Sequence, residues 1–333
     1  NMYLVKFNSQ GTLQFAVKSL QGSVGVGENV SSDNNGNSYV IGKFSDKIVL
    51  PCDSFTSPAV SHCFVAKYSP TGLCVWAKHL ESWSFSGGAA NSKIKTDENG
   101  NSYITGHFIN HVTFDNGITV QAHGIYDEDV LLSKLDSNGN CLWARSLGGS
   151  SQDLSGPMDV DDFGNTYISG YFSSAPAYFG SNTLTTNNYD YFTAKYDTYG
   201  NCIWANYGYS PSVCATNDGY YTNSPWFISK YDSLGSFQWS KAVNGLAYNY
   251  AMSSSNDAVY ITGADSGTVS FDNHSLTSTN WQMYVTKLSV PAITTNVNEG
   301  NYINTFSVYP NPTNDIITVH FTSVEKRTFT ITI

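Results

Sequence analysis

The chain of 333 residues has no stretch of eighteen consecutive apolar residues, so no segment of it is long enough to cross a bilayer as a helix. Nor does any useful length carry helical periodicity. Charge is scarce, at 13% of residues, about half of the usual globular share. Basic charge is scarcer still, with 16 Lys+Arg against 26 Asp+Glu and a formal net charge of −10. With no basic field to hold a polyanion, nucleic acid and anionic membrane surfaces are excluded as partners, and no membrane insertion is expected. The first residues, Asn1-Met2-Tyr3-Leu4-Val5-Lys6, have neither a basic n-region nor an apolar h-region, as in a mature or trimmed form. No Ser/His/Asp grouping, paired carboxylate motif, nucleophile elbow or phosphate loop stands out, so the expectation is a protein that is not an enzyme.

What the chain does have is 41% apolar residues, 23 Tyr and 28 Gly, enough for a large β-rich core under a polar, weakly charged surface. It is also repetitive. Lys67-Tyr68-Ser69-Pro70-Thr71-Gly72-Leu73-Cys74-Val75-Trp76-Ala77 returns almost residue for residue as Lys134 to Ala144. The same signature runs from Lys195 to Ala205 and from Lys230 to Ser240, more weakly from Lys6 to Ala16, and its first half begins again at Lys287. Between these copies lies a second signature, Asp33-Asn34-Asn35-Gly36-Asn37-Ser38-Tyr39-Val40-Ile41-Gly42, repeated at Asp97 to Gly106 and Asp161 to Gly170. Each reads as strand, tight turn, strand, because Gly and Asn supply the positive φ a hairpin requires. Two hairpins per roughly 60 residues make four short antiparallel strands per unit, the pattern of β-propeller blades.

The repeat D-x-x-G-N-x-Y-x-x-G, an apolar run, K-Y-D-x-x-G-N and a closing W-A resembles the bacterial β-propeller repeat called SBBP, over residues 1–290. The expected fold is therefore all-β, a propeller of four-stranded blades with about five blades' worth of sequence in a ring of five to seven. The chain starts inside one blade and leaves another half-finished at Lys287, consistent with closure by its two ends or with a longer ring. The fourth unit departs from the pattern. With Thr222 in the Gly position, only 8 residues separate it from Lys230, against 25 from Gly42 to Lys67, so about one strand and its loop are expected to be absent around Thr216–Trp226.

Residues 291–303 have linker composition. Residues 304–333 then resemble the front of the type A sorting domain of the type IX secretion system of Bacteroidetes, on Val308, Tyr309, Pro310, Asn311, Pro312, Thr313, Asp315 and the strand Ile316–Thr318. That domain is an Ig-like β-sandwich of roughly 70 to 80 residues, so the tail is a partial copy, with a third strand expected at Phe329–Ile333. The resemblance implies export by the type IX machinery, acting through the tail, and an extracellular or outer-surface location.

Several residues are candidates for chemistry. Asp33, Asp97 and Asp161 suit Asx turns better than calcium ligands, and only Asp159–Asp162 is dense enough in carboxylates to suggest calcium; no cofactor is otherwise expected. His107, His111 and His123, near Asp127 and Asp129, lack the helix on which a zinc pair would converge, and read as surface histidines. Cys74, Cys141 and Cys202 precede the repeat Trp and read as reduced, buried residues, too far apart to bridge between blades. Cys52 and Cys63 lie outside the repeat register and are the disulfide candidates. Trp76, Trp143, Trp204 and Trp239 are expected buried between blades. Trp83, Trp281, Tyr207, Tyr209, Tyr248 and Tyr250 fall in irregular segments where rings can stack on sugars, although solvated loop tyrosines are the simpler account. The composite expectation is a secreted or cell-surface, non-enzymatic propeller for adhesion or for binding an extracellular glycan or protein. The alternatives are an accessory module of a larger secreted enzyme and a structural subunit of a surface layer or filament.

Overall fold

The computed structural model describes residues 2–20, 22–84, 92–124, 126–208, 212–224, 226–255, 258–271, 274–289, 303–309 and 318–323. They are arranged in antiparallel strands. A hairpin of β1 (Tyr3–Phe7) and β2 (Leu13–Lys18) supplies the last two strands of one blade. Blade 1 follows as β3 (Gly25–Ser32), β4 (Ser38–Val49), β5 (Ser54–Tyr68) and β6 (Cys74–Ser84). Blade 2 uses β7 (Lys93–Thr96), β8 (Ser102–Phe114), β9 (Thr119–Gln121), β10 (Glu128–Leu135) and β11 (Cys141–Gly149). Blade 3 uses β12 (Asp153–Val160), β13 (Thr166–Phe172), β14 (Ala177–Phe179), β15 (Asn182–Leu184), β16 (Asp190–Tyr196) and β17 (Cys202–Tyr207). Blade 4 is β18 (Val213–Thr216), β19 (Gly219–Asn223), β20 (Phe227–Asp232) and the first part of β21 (Phe237–Ser255). The rest of β21, with β22 (Ala258–Phe271) and β23 (His274–Ser289), gives three strands of a fifth blade.

The inner strands stack in sequence, β3 on β7, β7 on β12, β12 on β18 and β18 on β21. The apolar core lies in layers between successive blades. Tyr39, Ile41, Cys63 and Val65 of blade 1 pack on Ile94, Ile104, Leu131 and Leu135 of blade 2. Tyr103, Val130, Leu132 and Trp143 then pack on Met158, Ile168, Phe192 and Ala194 of blade 3. The layer between blades 3 and 4 is smaller, with Tyr167 and Trp204 against Val213, Ala215 and Tyr220.

The two repeated signatures explain each other once folded. Each Asp closes an Asx turn: Asp33 Oδ1 accepts from the Asn37 amide at 2.9 Å and Oδ2 from its Nδ2 at 2.7 Å, and Asp97, Asp136, Asp161 and Asp197 do the same for the Asn four residues on. The Gly between them takes φ near +80°, a conformation costly to any residue with a side chain. The signature Tyr then sits across the sheet from the signature Lys, and the Lys from the Trp, as in Tyr103, Lys134 and Trp143. The ammonium lies over the ring, 5.0 Å from the centroid for Lys67 on Tyr39, and the Trp meets the same Tyr edge-on. Across the blade boundary, Trp76 Nε1 donates to the Ser137 carbonyl at 3.1 Å, Trp143 to Thr198 at 3.0 Å and Trp204 to Ser233 at 3.2 Å. The four Trp thus occupy equivalent positions, but only Trp143 and Trp204 are buried; Trp76 and Trp239 are half-buried, a correction to uniform burial.

Between its second and third strands, a blade throws out a side hairpin that covers the outer strand of the blade before it. In blade 2, His111–Thr113 pairs with β9 and also lies along β6, Leu80 opposite Phe114. In blade 3, β14–β15 pairs with Gly148 and Gly149 of β11. In the fifth, Phe271 and Ser270 pair with Val243 and Asn244. The side hairpin of blade 1, Asp46–Val49 with Ser54–Ser57, accepts from the amides of Leu20 and Val24 after β2. Such cover removes an edge that would otherwise be open to pairing.

Blade 4 corrects the expected missing strand. All four of its strands are present and paired, and what it lacks is the side hairpin, replaced by a tight turn in which Ser224 donates its amide to the Phe227 carbonyl at 2.8 Å. The cross-strand pair of Tyr221 with Lys230 makes Tyr221 the signature Tyr, so the Gly position belongs to Ser224 and not Thr222.

The cysteine pairing is also corrected. Cys52 is bonded to Cys74, with Cα atoms 5.4 Å apart, and not to Cys63. Cys63 is a free thiol on β5, fully buried toward blade 2, where burial holds it far above its ordinary pKa. Cys52 lies at the tip of the side hairpin, which folds back over the start of its own outer strand. Sibling blades make that contact by hydrogen bond: Asn116, in the place of Cys52, donates to the Cys141 carbonyl at 2.8 Å, and Asn182 donates to that of Cys202 at 3.5 Å. Cys74 is therefore not reduced, and Cys202 is half-buried.

Residues 1–289 and 290–333 form two separate compact units. In the second, β24 (Ile303–Tyr309) pairs antiparallel with β25 (Thr318–Ser323), Val308 opposite Val319 and Tyr309 opposite Thr318. Pro310, Asn311, Pro312, Thr313, Asp315, Ile316 and the expected strand Phe329–Ile333 lie outside the described residues, as does the expected linker 291–303 but for its last residue, Ile303, which opens β24.

Candidate functional site

The missing side hairpin leaves facing surfaces of blades 3 and 4 without the cover found elsewhere, and the residues there change accordingly. On the face that each blade turns toward its predecessor, one row crosses strands two, three and four. It reads Val40–Ala66–Ala77 in blade 1, Ile104–Ser133–Ala144 in blade 2 and Ile168–Ala194–Ala205 in blade 3. In blade 4 it is Thr222–Ser229–Ser240. Two residues before Ser229 stands Phe227, 48% exposed, whereas its counterparts Phe64, Leu131 and Phe192 are fully buried. Thr222, Asn223, Ser224, Phe227, Ser229, Tyr231 and Ser240 line a cavity of about 230 Å³. Tyr231 is fixed by stacking on Tyr220, ring centroids 4.9 Å apart, and Trp226 is exposed at the turn.

The opposing face of blade 3 changes as well. Where blades 1 and 2 place Lys43 opposite Cys63 and His107 opposite Val130, blade 3 places Tyr171 opposite Tyr191. Cys63 and Val130 are buried by side-hairpin residues of the following blade, but Tyr191 and Tyr171 are only half-buried. With Tyr189, 55% exposed, they make a ring cluster with centroids 5.9 to 6.4 Å apart. The Tyr171 hydroxyl donates to Gln152 Oε1 at 3.4 Å, and Gln152 Nε2 donates to Glu128 Oε2 at 2.6 Å. By strand alternation Tyr171 and Tyr191 share the face of Tyr167, which packs toward blade 4. Blade 3 thus turns a tyrosine cluster toward blade 4, and blade 4 turns a hydroxyl row toward blade 3, the cavity itself being lined by blade 4 residues.

The aromatic candidates read from sequence lie elsewhere. Tyr207 is exposed, but its hydroxyl donates to the Thr185 carbonyl at 2.9 Å and fastens the side hairpin of blade 3. Tyr209 and the side chains of Trp83, Trp281, Tyr248 and Tyr250 lie outside the described residues. Sequence reasoning missed Tyr171, Tyr189, Tyr191 and Phe227. The alternation Tyr189-Asp190-Tyr191, beside a unit known to be short, was the available signal.

The three candidate histidines, His107, His111 and His123, are not brought together. His123 Nδ1 and Asp129 Oδ2 are 2.5 Å apart, and Ser146 Oγ donates to the same oxygen at 2.5 Å, an arrangement in which the Ser and the His share one acceptor and no base faces the hydroxyl. His107 is instead buried, with Nδ1 3.4 Å from Ser155 Oγ. Burial and the Lys43 charge push its pKa down to about 4, although Glu128 Oε1 lies 3.9 Å from Nε2. The expectation of a surface residue fails for it. Asp129 Oδ1 is buried without a partner, and it lies near Asp153 Oδ2, both within 3.0 Å of the point a Gly148 side chain would occupy. Burial raises the pKa of both carboxyls.

The calcium candidates are engaged by protein groups. Asp159 meets Lys95 Nζ at 2.8 Å and the Ala215 amide at 2.8 Å, and Asp162 accepts from Asn217 Nδ2 at 2.8 Å. Asp33, Asp97, Glu98, Asp161 and Asp162 line an acidic mouth of about 370 Å³ at the ends of the first three inner strands. Among the described residues no three His, Cys, Asp or Glu side chains are placed to hold a metal ion.

The registered repeat and the four-stranded blades define a β-propeller repeat protein. No family model matches the chain. Over 211 residues it is 26% identical to an uncharacterised WD repeat-containing protein of Acanthamoeba polyphaga mimivirus, spanning 55% of this chain and 15% of that protein. Among solved structures it is similar to a chain from a nidogen/laminin complex, with TM-score 0.42 and 11% identity over 86% of this chain and 94% of that one. It is also similar to the Pan2 WD40 domain of Neurospora crassa, with TM-score 0.28 and 9% identity over 78% of this chain and 88% of that one.

Proposed function

We propose that this protein is a non-enzymatic, extracellular binding propeller that holds a glycan or protein ligand in the slot between blades 3 and 4, as an adhesin or recognition module. The observation that carries this reading is that, at the blade boundary without a side hairpin, Phe227 and Tyr191 stand uncovered where Phe64, Leu131, Phe192, Cys63 and Val130 are buried, and Thr222 and Ser240 replace the Val, Ile and Ala of blades 1 to 3. Aromatic faces beside neutral hydrogen-bonding groups are the usual make-up of a recognition surface. Immobilised protein offered arrays of glycans and of extracellular matrix proteins should retain a defined ligand, and Tyr189→Ala should weaken that retention at least tenfold. Absence of any retained ligand, or retention unchanged by Tyr189→Ala and Phe227→Ala together, refutes it.

The reading includes export through the type IX route, with residues 304–333 as the address and the outer surface or the medium as the destination. It is supported by the tail's sequence resemblance and by a separate C-terminal unit with Val308 and Tyr309 at the end of its first strand. Deleting 304–333 from the full-length protein should abolish surface display in a type IX-competent host. Normal surface levels of the deletion variant refute the sorting role.

A further inference from the structure

We propose that the hydroxyl row of blade 4 takes one uncharged pyranose ring, the terminal residue of a glycan, with Phe227 as its stacking face. This rests on the binding reading above and names the ligand class. Hydroxyls from three adjacent strands, Thr222, Ser229 and Ser240, stand in one cross-strand row, and each both donates and accepts, as sugar hydroxyls do. Phe227, next to that row on β20, offers an exposed apolar ring to the C–H face of a sugar. Among the described residues no charged side chain lines the cavity, and its hydroxyls and rings carry no charge to neutralise a uronate, a sialate or a sulfate. About 230 Å³ is below the usual size of ligand pockets and suits one ring better than an oligosaccharide.

The competing occupant is a hairpin from another protein, standing in for the missing side hairpin. The lining argues against it. Side hairpins in this molecule bring apolar residues, Val112 and Phe114 in blade 2 and Ala177, Phe179 and Leu184 in blade 3, into apolar layers. Against this row the same residues would bury Ser229 and Ser240 without partners beside the already buried Thr222, where the row of blade 2 buries one hydroxyl, Ser133.

The test uses the full chain and five probes, methyl α-D-glucopyranoside, methyl β-D-glucopyranoside, methyl β-D-galactopyranoside, methyl α-D-mannopyranoside and methyl β-D-glucuronide, followed by saturation-transfer NMR titration. At least one neutral glycoside should bind with millimolar affinity, and the glucuronide at least tenfold more weakly. The Ser229→Ala/Ser240→Ala variant should fold, because alanine holds both positions in blades 1 and 3, and should weaken binding at least tenfold, as should Phe227→Ala. The proposal is overturned if no neutral glycoside binds, if the glucuronide binds as well as they do, or if the double alanine variant binds unchanged. Should a matrix protein be retained by the wild type and lost in Tyr189→Ala while no glycoside binds, the sugar assignment fails and the binding reading stands. Should nothing bind in either experiment, both fail.

Discussion

His107 gives the sharpest quantitative prediction. It sits on β8, 4% exposed, beside Ser155, and its neutral form is favoured by burial and by the nearby Lys43 charge. With a folded pKa of about 4 against an ordinary 6.5, the native state resists a proton that the unfolded chain accepts freely. Between these two values the unfolded state binds more protons, so stability is complete above pH 6.5 and falls as pH drops through the window. A gap of about 2.5 pKa units corresponds to about 3 kcal/mol, most of it lost by pH 4.5. His107→Gln keeps a neutral polar side chain and removes the titration. Urea unfolding of both proteins at half-unit steps from pH 7.5 to 4 should show the wild type losing about 3 kcal/mol more than the variant. Because every other titrating group is shared, the difference isolates this ring. Parallel profiles for the two proteins would refute the argument, and so would a difference of opposite sign, which would mean that Glu128 outweighs burial.

Asn116→Cys should form a disulfide with Cys141, reproducing in blade 2 the Cys52–Cys74 link; thiol counting by mass after alkylation should show one free thiol fewer than the wild type, whereas one more would mean that no bond formed, and stability should rise by up to about 3 kcal/mol for a loop of this length. Trp204→Ala should cost roughly 3–5 kcal/mol in chemical denaturation, and more than Trp239→Ala, whose ring is only half-buried. Asp129 has a raised folded pKa, so its contribution is present below its ordinary 3.8 and is lost as pH rises through the folded value. Asp129→Asn should therefore flatten the alkaline side of that window in pH-dependent unfolding, and an unchanged slope would show that Asp129 is ionised in the fold.

The architecture was legible because it is written several times over. One Asp–Gly–Asn turn is a weak signal, but registered copies with Tyr, Lys and Trp at fixed offsets specify a four-stranded blade, and the Tyr–Lys–Trp stack gives the physical reason for those offsets. Less legible was whatever depends on contacts between blades. The side hairpins fall in the variable spacing between signatures, so their absence from unit four looked like the loss of a strand. Cys52 and Cys63 both lie outside the repeat and so look like partners in the sequence, whereas the fold brings the hairpin tip back to a repeat position, Cys74. The slot residues were hidden for a related reason. A Tyr or Ser in a β-strand is unremarkable by itself and acquires meaning when its siblings, Cys63 and Val130 for Tyr191 or Ala77, Ala144 and Ala205 for Ser240, prove to be small or apolar.

The same omission bears on how the propeller comes apart. A ring of blades behaves as a linear array in which each unit is held by its own stability and by its coupling to neighbours. Along most of this array the coupling is doubled, by the inner packing layer and by the side hairpin on the outer edge. At the junction of blades 3 and 4 the second strap is missing and the packing layer is the smaller one. Compared with the boundaries of blades 1 to 3 this is a soft joint, where cooperativity between the two sides is lower and sub-global opening takes less free energy. Amide exchange should report faster opening on the two sides of that joint than within blade 2. A ligand that spans the slot would restore the missing strap, so binding and mechanical continuity of the propeller would be the same event.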